Sequence, residues 1–127
     1  MGLAEGHLVQ ELGFDEDIDF DFRNTLEDEL GTELLTEEDQ EPVDAVILWW
    51  REGDGDIEDL VDALLDAQTS LDSSGLLWLL TPRKGRDGYV PPADVAEAAP
   101  TAGLHVTTTA GVSADWIATR LVAKRNL

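Results

Sequence analysis

The sequence predicts an α/β protein: a Rossmann-like three-layer sandwich with a mostly parallel sheet and a C-terminal antiparallel hairpin. Three observations carry that expectation. Apolar runs of strand length alternate with amphipathic helical stretches along the chain. Two of the runs, VDAVILWW at 43–50 and GLLWLL at 75–80, are almost unbroken, as strands buried on both faces are. The last two strand candidates are joined by about five residues, too few for a parallel crossover. A length of 127 residues fits one compact domain, so residues 1–127 read as a single Rossmann-like unit.

The elements follow in order. Residues 7–12 form a short strand ended by Gly13. A helix is expected over 16–30, where Ile18, Phe22, Leu26 and Leu30 recur at i+4. Asp15 is its expected N-cap, Glu16 and Asp17 suit the positive end of the helix dipole, and Gly31 supplies the left-handed stop. Residues 33–36 offer a short strand and 37–42 an acidic loop. The strand at 43–50 comes next; alternation places Trp49 and Trp50 on opposite faces. A glycine-containing turn at 51–56 leads into a helix over 57–71. Asp56 is its N-cap, Asp59 stands at N3, and only Gln68 interrupts the apolar stripe. The strand at 75–80 is followed by a loop at 81–89 bearing Arg83, Lys84 and Arg86. A helix over 92–99 and strands at 104–110 and 116–123 complete the chain. Trp49, Trp50, Trp78 and Trp116 all fall on strands, where core packing is the default.

Charge narrows the function classes. There are 28 acidic and 8 basic side chains, a formal net charge of −20. Direct nucleic-acid binding is disfavoured, because too few cations are present to displace phosphate counterions. A hydrophobic content of 43% is enough for a core and excludes a disordered acidic tail. With no cysteine there is no disulfide, no cysteine-based zinc site and no thiol nucleophile. Residues 1–14 lack the basic start of a signal peptide. No apolar run approaches the roughly 20 residues of a membrane helix, so the chain reads as soluble and cytoplasmic. The charge is also uneven. Residues 1–82 carry 24 acidic and two basic side chains, net −22, whereas residues 83–127 carry four acidic and six basic, net +2.

Ligands on sheets of this class bind beyond the carboxyl ends of the strands, which selects three loops. The first, LGFDED at 12–17, has one glycine, a bulky Phe14 and three carboxylates where a nucleotide-binding turn has glycines. Each carboxylate at a helix start would repel an anionic ligand by about 4 kcal/mol at about 4 Å and an effective dielectric of about 20. Glu11-Leu12-Gly13 keeps one acid and one glycine of an adenosylmethionine-type turn. The second loop, 52–59, fails the calcium-loop test, since the last ligand position would be the apolar Leu65. The third loop offers an anion or an acidic partner Arg83, Lys84 and Arg86. A ligand pocket at these ends would be built from Gly13, Phe14, Trp50, Arg51, Thr81, Arg83, Lys84 and Arg86. His7 and His105 have no ligand spacing, so no metal is expected, and no catalytic set emerges.

The segments GHLVQELGFDEDID, VDAVILWWREGDGD, GLLWLLTPRKGRDGYVPPADVAEAAPTAGL and DWIATRLVAK resemble a family of small acidic actinobacterial proteins classed as a domain of unknown function. The resemblance spans Gly6 to Lys124. It implies a shortened Rossmann-like fold, similar to the methyltransferase framework but without a recognisable cofactor turn. It implies no activity, no cofactor and no site residues.

Three functional readings remain. The one the charge favours is a non-catalytic interaction or regulatory protein binding a basic macromolecular partner through its acidic surface, or an acidic one through the 83–86 loop. The second is a small-molecule binder, of nucleotide or adenosylmethionine type, or a degenerate methyltransferase-like enzyme at the strand carboxyl ends. The third is a structural homo-oligomer pairing through an exposed sheet edge, with oligomeric state open.

Overall fold

A computed structural model describes residues 3, 5–39, 41–69 and 71–123, with the side chains of 72–74 outside the description. The chain forms β1 (Val9–Leu12), α1 (Phe20–Leu30), β2 (Val43–Trp49), a 3-10 turn (Glu52–Asp54), α2 (Ile57–Ala67), β3 (Leu71–Pro82), α3 (Pro92–Thr101), β4 (Leu104–Gly111) and β5 (Trp116–Ala123). The five strands make one sheet in the order β1-β2-β3-β5-β4. β1, β2 and β3 pair in parallel, and β5 runs antiparallel to both β3 and β4. The α/β class holds, but the sheet is more mixed than expected. β5 inserts beside β3 and leaves β4 at the edge, so half of the strand pairings are antiparallel.

Strand alternation sorts the core into two layers. Ala45, Ile47 and Trp49 face α1 with Leu26 and Leu30, while Val46, Leu48 and Trp50 face α2 and α3 with Leu60, Leu64, Val95 and Ala98. Period-two strands with both faces covered need apolar residues at every position, which is why 43–50 and 75–80 read as unbroken runs. All four tryptophans are buried as expected, although Trp50 lies just past the end of β2 and not on the strand.

Several element boundaries differ from expectation. α1 begins at Phe20, not residue 16, because Asp19 and not Asp15 takes the N-cap and accepts from the Phe22 N–H. Residues 15–17 form a separate turn, and Ile18 is buried ahead of the helix. α2 stops at Ala67, capped by Gln68, whose Nε2 donates to the carbonyls of Leu64 and Ala102 and so ties α2 to the end of α3. A polar side chain in the stripe thus serves as a helix end. Leu71 opens β3, which continues through Thr81 and Pro82, residues expected in the loop. The strand expected at 33–36 is reduced to a single bridge between Leu35 and Gln10. Asp56 and Asp59 form the expected reciprocal cap of α2. Among the described residues, no helix is long and apolar enough to cross a membrane.

Candidate binding site at the carboxyl ends of the strands

β1 and β2 end side by side, and their loops meet over one arginine. Arg51 stands two positions past the end of β2. Its Nε donates to Asp17 Oδ2 at 2.9 Å, its Nη2 to Asp17 Oδ1, and its Nη1 to the Gly13 carbonyl at 2.7 Å and the Trp49 carbonyl at 3.3 Å. Asp54 lies 3.5 Å from Nη1 and also accepts from the Arg51 backbone N–H. The guanidinium carbon lies 5.4 Å from the centre of the Trp116 ring. Burial works against the charge, but the Asp17 and Asp54 carboxylates more than offset it and raise the Arg51 pKa. The guanidinium is a permanent cation held against the ends of two strands. Gly13 permits this closure: at φ +74°, a Cβ there would sit 2.2 Å from the Trp49 carbonyl oxygen.

Beneath the clamp lies a second charged cluster. Glu11, on β1, is only 6% exposed. Arg23 Nε donates to both of its carboxylate oxygens at 3.0 Å, and the Trp49 indole donates a further bond to Oε2 at 3.1 Å. Trp49 meets Phe22 and Trp116 edge to face, with ring centres 6.0 and 4.9 Å apart. This ties β1, α1, β2 and β5 together under the loops, and all of Glu11's neighbours are structural. Above it, Arg23 lies 5.7 Å from the Phe14 ring, and Phe14 packs on Phe20 with centres 6.0 Å apart.

At the β3 end the chain is arranged differently. The Arg83 N–H donates to the Asp115 carbonyl and its Nε to the Ser113 carbonyl, both at 2.8 Å, which ties this loop to the hairpin turn. Arg86 pairs with Asp115 at 2.8 Å on the open surface.

The eight expected pocket residues therefore divide. Gly13, Phe14, Trp50 and Arg51 line a shallow depression of about 310 Å³. Thr81, Arg83 and Lys84 line a separate cavity of about 350 Å³ under the start of α3. Arg86 lines neither. Asp15, Glu16 and Asp17 do not cluster on a helix dipole as expected, because α1 starts later; Asp17 serves Arg51 instead. Another hollow, of about 580 Å³, lies beside β1, and Glu37, Asp39 and Asp66 give it an acidic wall. Among the described residues, no group of three or more His, Asp or Glu is placed to hold a metal ion. Sequence reasoning missed Glu11 and Arg23 as partners, and also the contribution of Thr109, Ile117 and Thr119 to the second cavity. Strand alternation carried the latter signal, since Thr119 pairs with both Leu79 and Thr109 and so shares their face.

The fold is similar to that of solved methyltransferases. The CcbJ methyltransferase from Streptomyces caelestis superposes with a TM-score of 0.64 at 12% identity, covering 97% of this chain and 86% of that one. A putative methyltransferase from Thermoplasma acidophilum gives 0.65 at 11% identity, covering 97% and 70%. The mitomycin 7-O-methyltransferase MmcR gives 0.58 at 15% identity, with 80% of this chain matched to 36% of that chain, so the protein spans about a third of that enzyme's length. At these identities the likeness is one of fold. Uncharacterized proteins of Mycobacterium tuberculosis and Mycobacterium bovis are 47% identical over 126 residues, covering 99% of this chain and 77% of theirs. A family model described as "Protein of unknown function (DUF3052)" matches residues 1–125, and the chain belongs to that family.

Proposed function

We propose that the protein is a non-catalytic interaction protein of the cytoplasm, which docks a basic macromolecular partner on the acidic surface around Phe14 and Phe20. The observation that carries this reading is the exposed aromatic pair itself. Phe14 and Phe20 are 50% and 45% exposed, yet packed edge to face on one another. Two exposed aromatics in contact make a contiguous apolar patch, and aromatic anchors dominate binding energy where they are buried on association. Asp15, Glu16, Asp17 and Asp21 surround the pair in sequence and are exposed. Apolar anchors within a negative rim suit a partner that presents an apolar side chain among lysines or arginines.

The Arg51 clamp supports the non-catalytic half of the reading. Solved neighbours include methyltransferases in complex with S-adenosylmethionine. In this chain the protein's own guanidinium lies against the ends of β1 and β2 and, with Gly13 and Phe14, forms part of the wall of the shallow depression there. A ligand there would have to displace Arg51 from two carboxylates and two carbonyls.

The test is an affinity capture from lysate of the source cell at low salt, run in parallel with wild type and a Phe14→Ala/Phe20→Ala variant and eluted with a salt gradient. The expected result is one basic protein, or one complex containing it, that wild type retains, salt releases and the variant fails to hold. Identical capture by both proteins would contradict the reading.

A further inference from the structure

The cavity at the β3 end carries cations where the hollow beside β1 carries an acidic wall, and we propose that it binds a small amphipathic anion: an organic acid with an apolar body, its acidic head on Arg83 and Lys84. Its floor comes from three adjacent strands. Thr81 of β3 pairs with Ile117 of β5, and Thr119 of β5 pairs with Thr109 of β4, which places all four on the face toward α3. Val90 and Val95 belong to the apolar core under α3 and close the other side. About 350 Å³ is the lower end of the range for small-molecule sites.

Three features point to an anion with an apolar body. First, Arg83 and Lys84 stand at the mouth, and among the described residues neither has a carboxylate partner, in a chain with 28 acidic side chains. Asp115, the acid tied to this loop, is engaged by Arg86, and Asp94 lines a different hollow. At physiological salt the remaining acids are screened beyond about 8 Å, so local cations govern the potential at the mouth.

Second, Arg83 is pre-positioned. Its Nε is fixed by the Ser113 carbonyl, which leaves the Nη groups free to donate. Gly111, whose missing Cβ would fall 2.1 Å from Arg83 Nη2, makes the space in which the guanidinium lies across the hairpin. Holding a planar donor fork in place before binding lowers the ordering cost that a ligand meets.

Third, Thr81 and Thr119 are 3% and 7% exposed, and no protein hydrogen bond holds either hydroxyl among the described residues. The one sealed side-chain polar atom without a partner there is Trp78 Nε1, so these hydroxyls open onto the cavity. A row of free hydroxyls beside valine and isoleucine matches a molecule polar at one end and apolar at the other. The proposal is independent of the docking surface on the far side of the sheet's end.

The test titrates the intact chain with benzoate, phenyl phosphate and neutral benzyl alcohol, followed by amide chemical shifts. One of the two anions is expected to shift the amides of Thr81, Arg83, Thr109 and Thr119 saturably, and the neutral alcohol to bind at least about tenfold more weakly. The two anions decide between a carboxylate and a phosphate head. Arg83→Gln is expected to weaken binding about tenfold or more, and Arg120→Gln, on β5 but on the face away from the cavity, to leave it unchanged. If Arg83→Gln does not fold, Thr119→Val removes one hydroxyl at constant shape and is expected to weaken binding several-fold. The proposal is overturned if neither anion moves these amides at about 10 mM, a concentration that would reveal even millimolar affinity. It is also overturned if the alcohol binds as well as the anions, if both arginine variants weaken binding equally, or if a folded Thr119→Val binds unchanged.

Discussion

The two ends of the sheet's carboxyl edge contrast in what they do with an arginine. At the β1–β2 end, Arg51 is turned inward, paired with Asp17 and Asp54 and bonded to two carbonyls. At the β3 end, Arg83 is held by one carbonyl and has no carboxylate partner among the described residues. The backbone plan is the same, a strand running into a loop, but the first loop carries its own counter-ions and the second does not. A Rossmann-like sheet therefore does not dictate where a ligand sits; the side chains after each strand decide which crevice stays open.

That contrast can be broken most severely at Gly13. Gly13→Ala sets a Cβ against the Trp49 carbonyl at a positive φ, and is expected to cost about 3 kcal/mol in urea unfolding. A loss of a few tenths would show that the closure of the β1 loop on β2 is looser than described. Glu11→Gln keeps the shape but removes the charge that Arg23 and the Trp49 indole share, with an expected loss of about 2 kcal/mol. Arg51→Ala follows at about 1–2 kcal/mol, reduced because its Asp17 partner is half exposed. Its loss should also change near-ultraviolet circular dichroism, since Arg51 stacks on Trp116. Arg86→Gln removes an ion pair open to solvent on both sides and is expected to leave the unfolding midpoint unchanged.

Much of the architecture was legible because burial on both faces leaves a plain mark. The runs at 43–50 and 75–80 have no polar alternation, and Trp49 and Trp50 do face opposite layers. Asp56 and Asp59 were legible as a cap because the two acids stand three apart ahead of an apolar stripe. The start of α1 was not. Asp15 was the expected cap, but Asp19 takes that place, while Asp17 pairs with an arginine 34 residues away that no local pattern announces. Gln68 looked like a flaw in a helix and proved to be its end, a role set by the Ala102 carbonyl, distant in sequence.

The site was legible only in part for the same reason. The loops that bear Gly13, Arg51 and Arg83 could be placed at the strand ends from topology alone. Which arginine is neutralised depends on contacts between residues 12 to 38 positions apart, such as Arg23 with Glu11 and Arg51 with Gly13. The cavity under α3 needed the register of β3, β5 and β4, which aligns Thr109, Thr119 and Leu79 across three strands.

At the β1–β2 end, Arg51 is held by the protein's own carboxylates and carbonyls in preference to a ligand. The most direct test is calorimetric titration of the wild-type chain with S-adenosylmethionine, paired with thermal unfolding in its presence. The expected result is no saturable heat and no shift in Tm. A saturable heat, with stabilisation approaching the roughly 2.7 kcal/mol expected at about 100 times the dissociation constant, would contradict it.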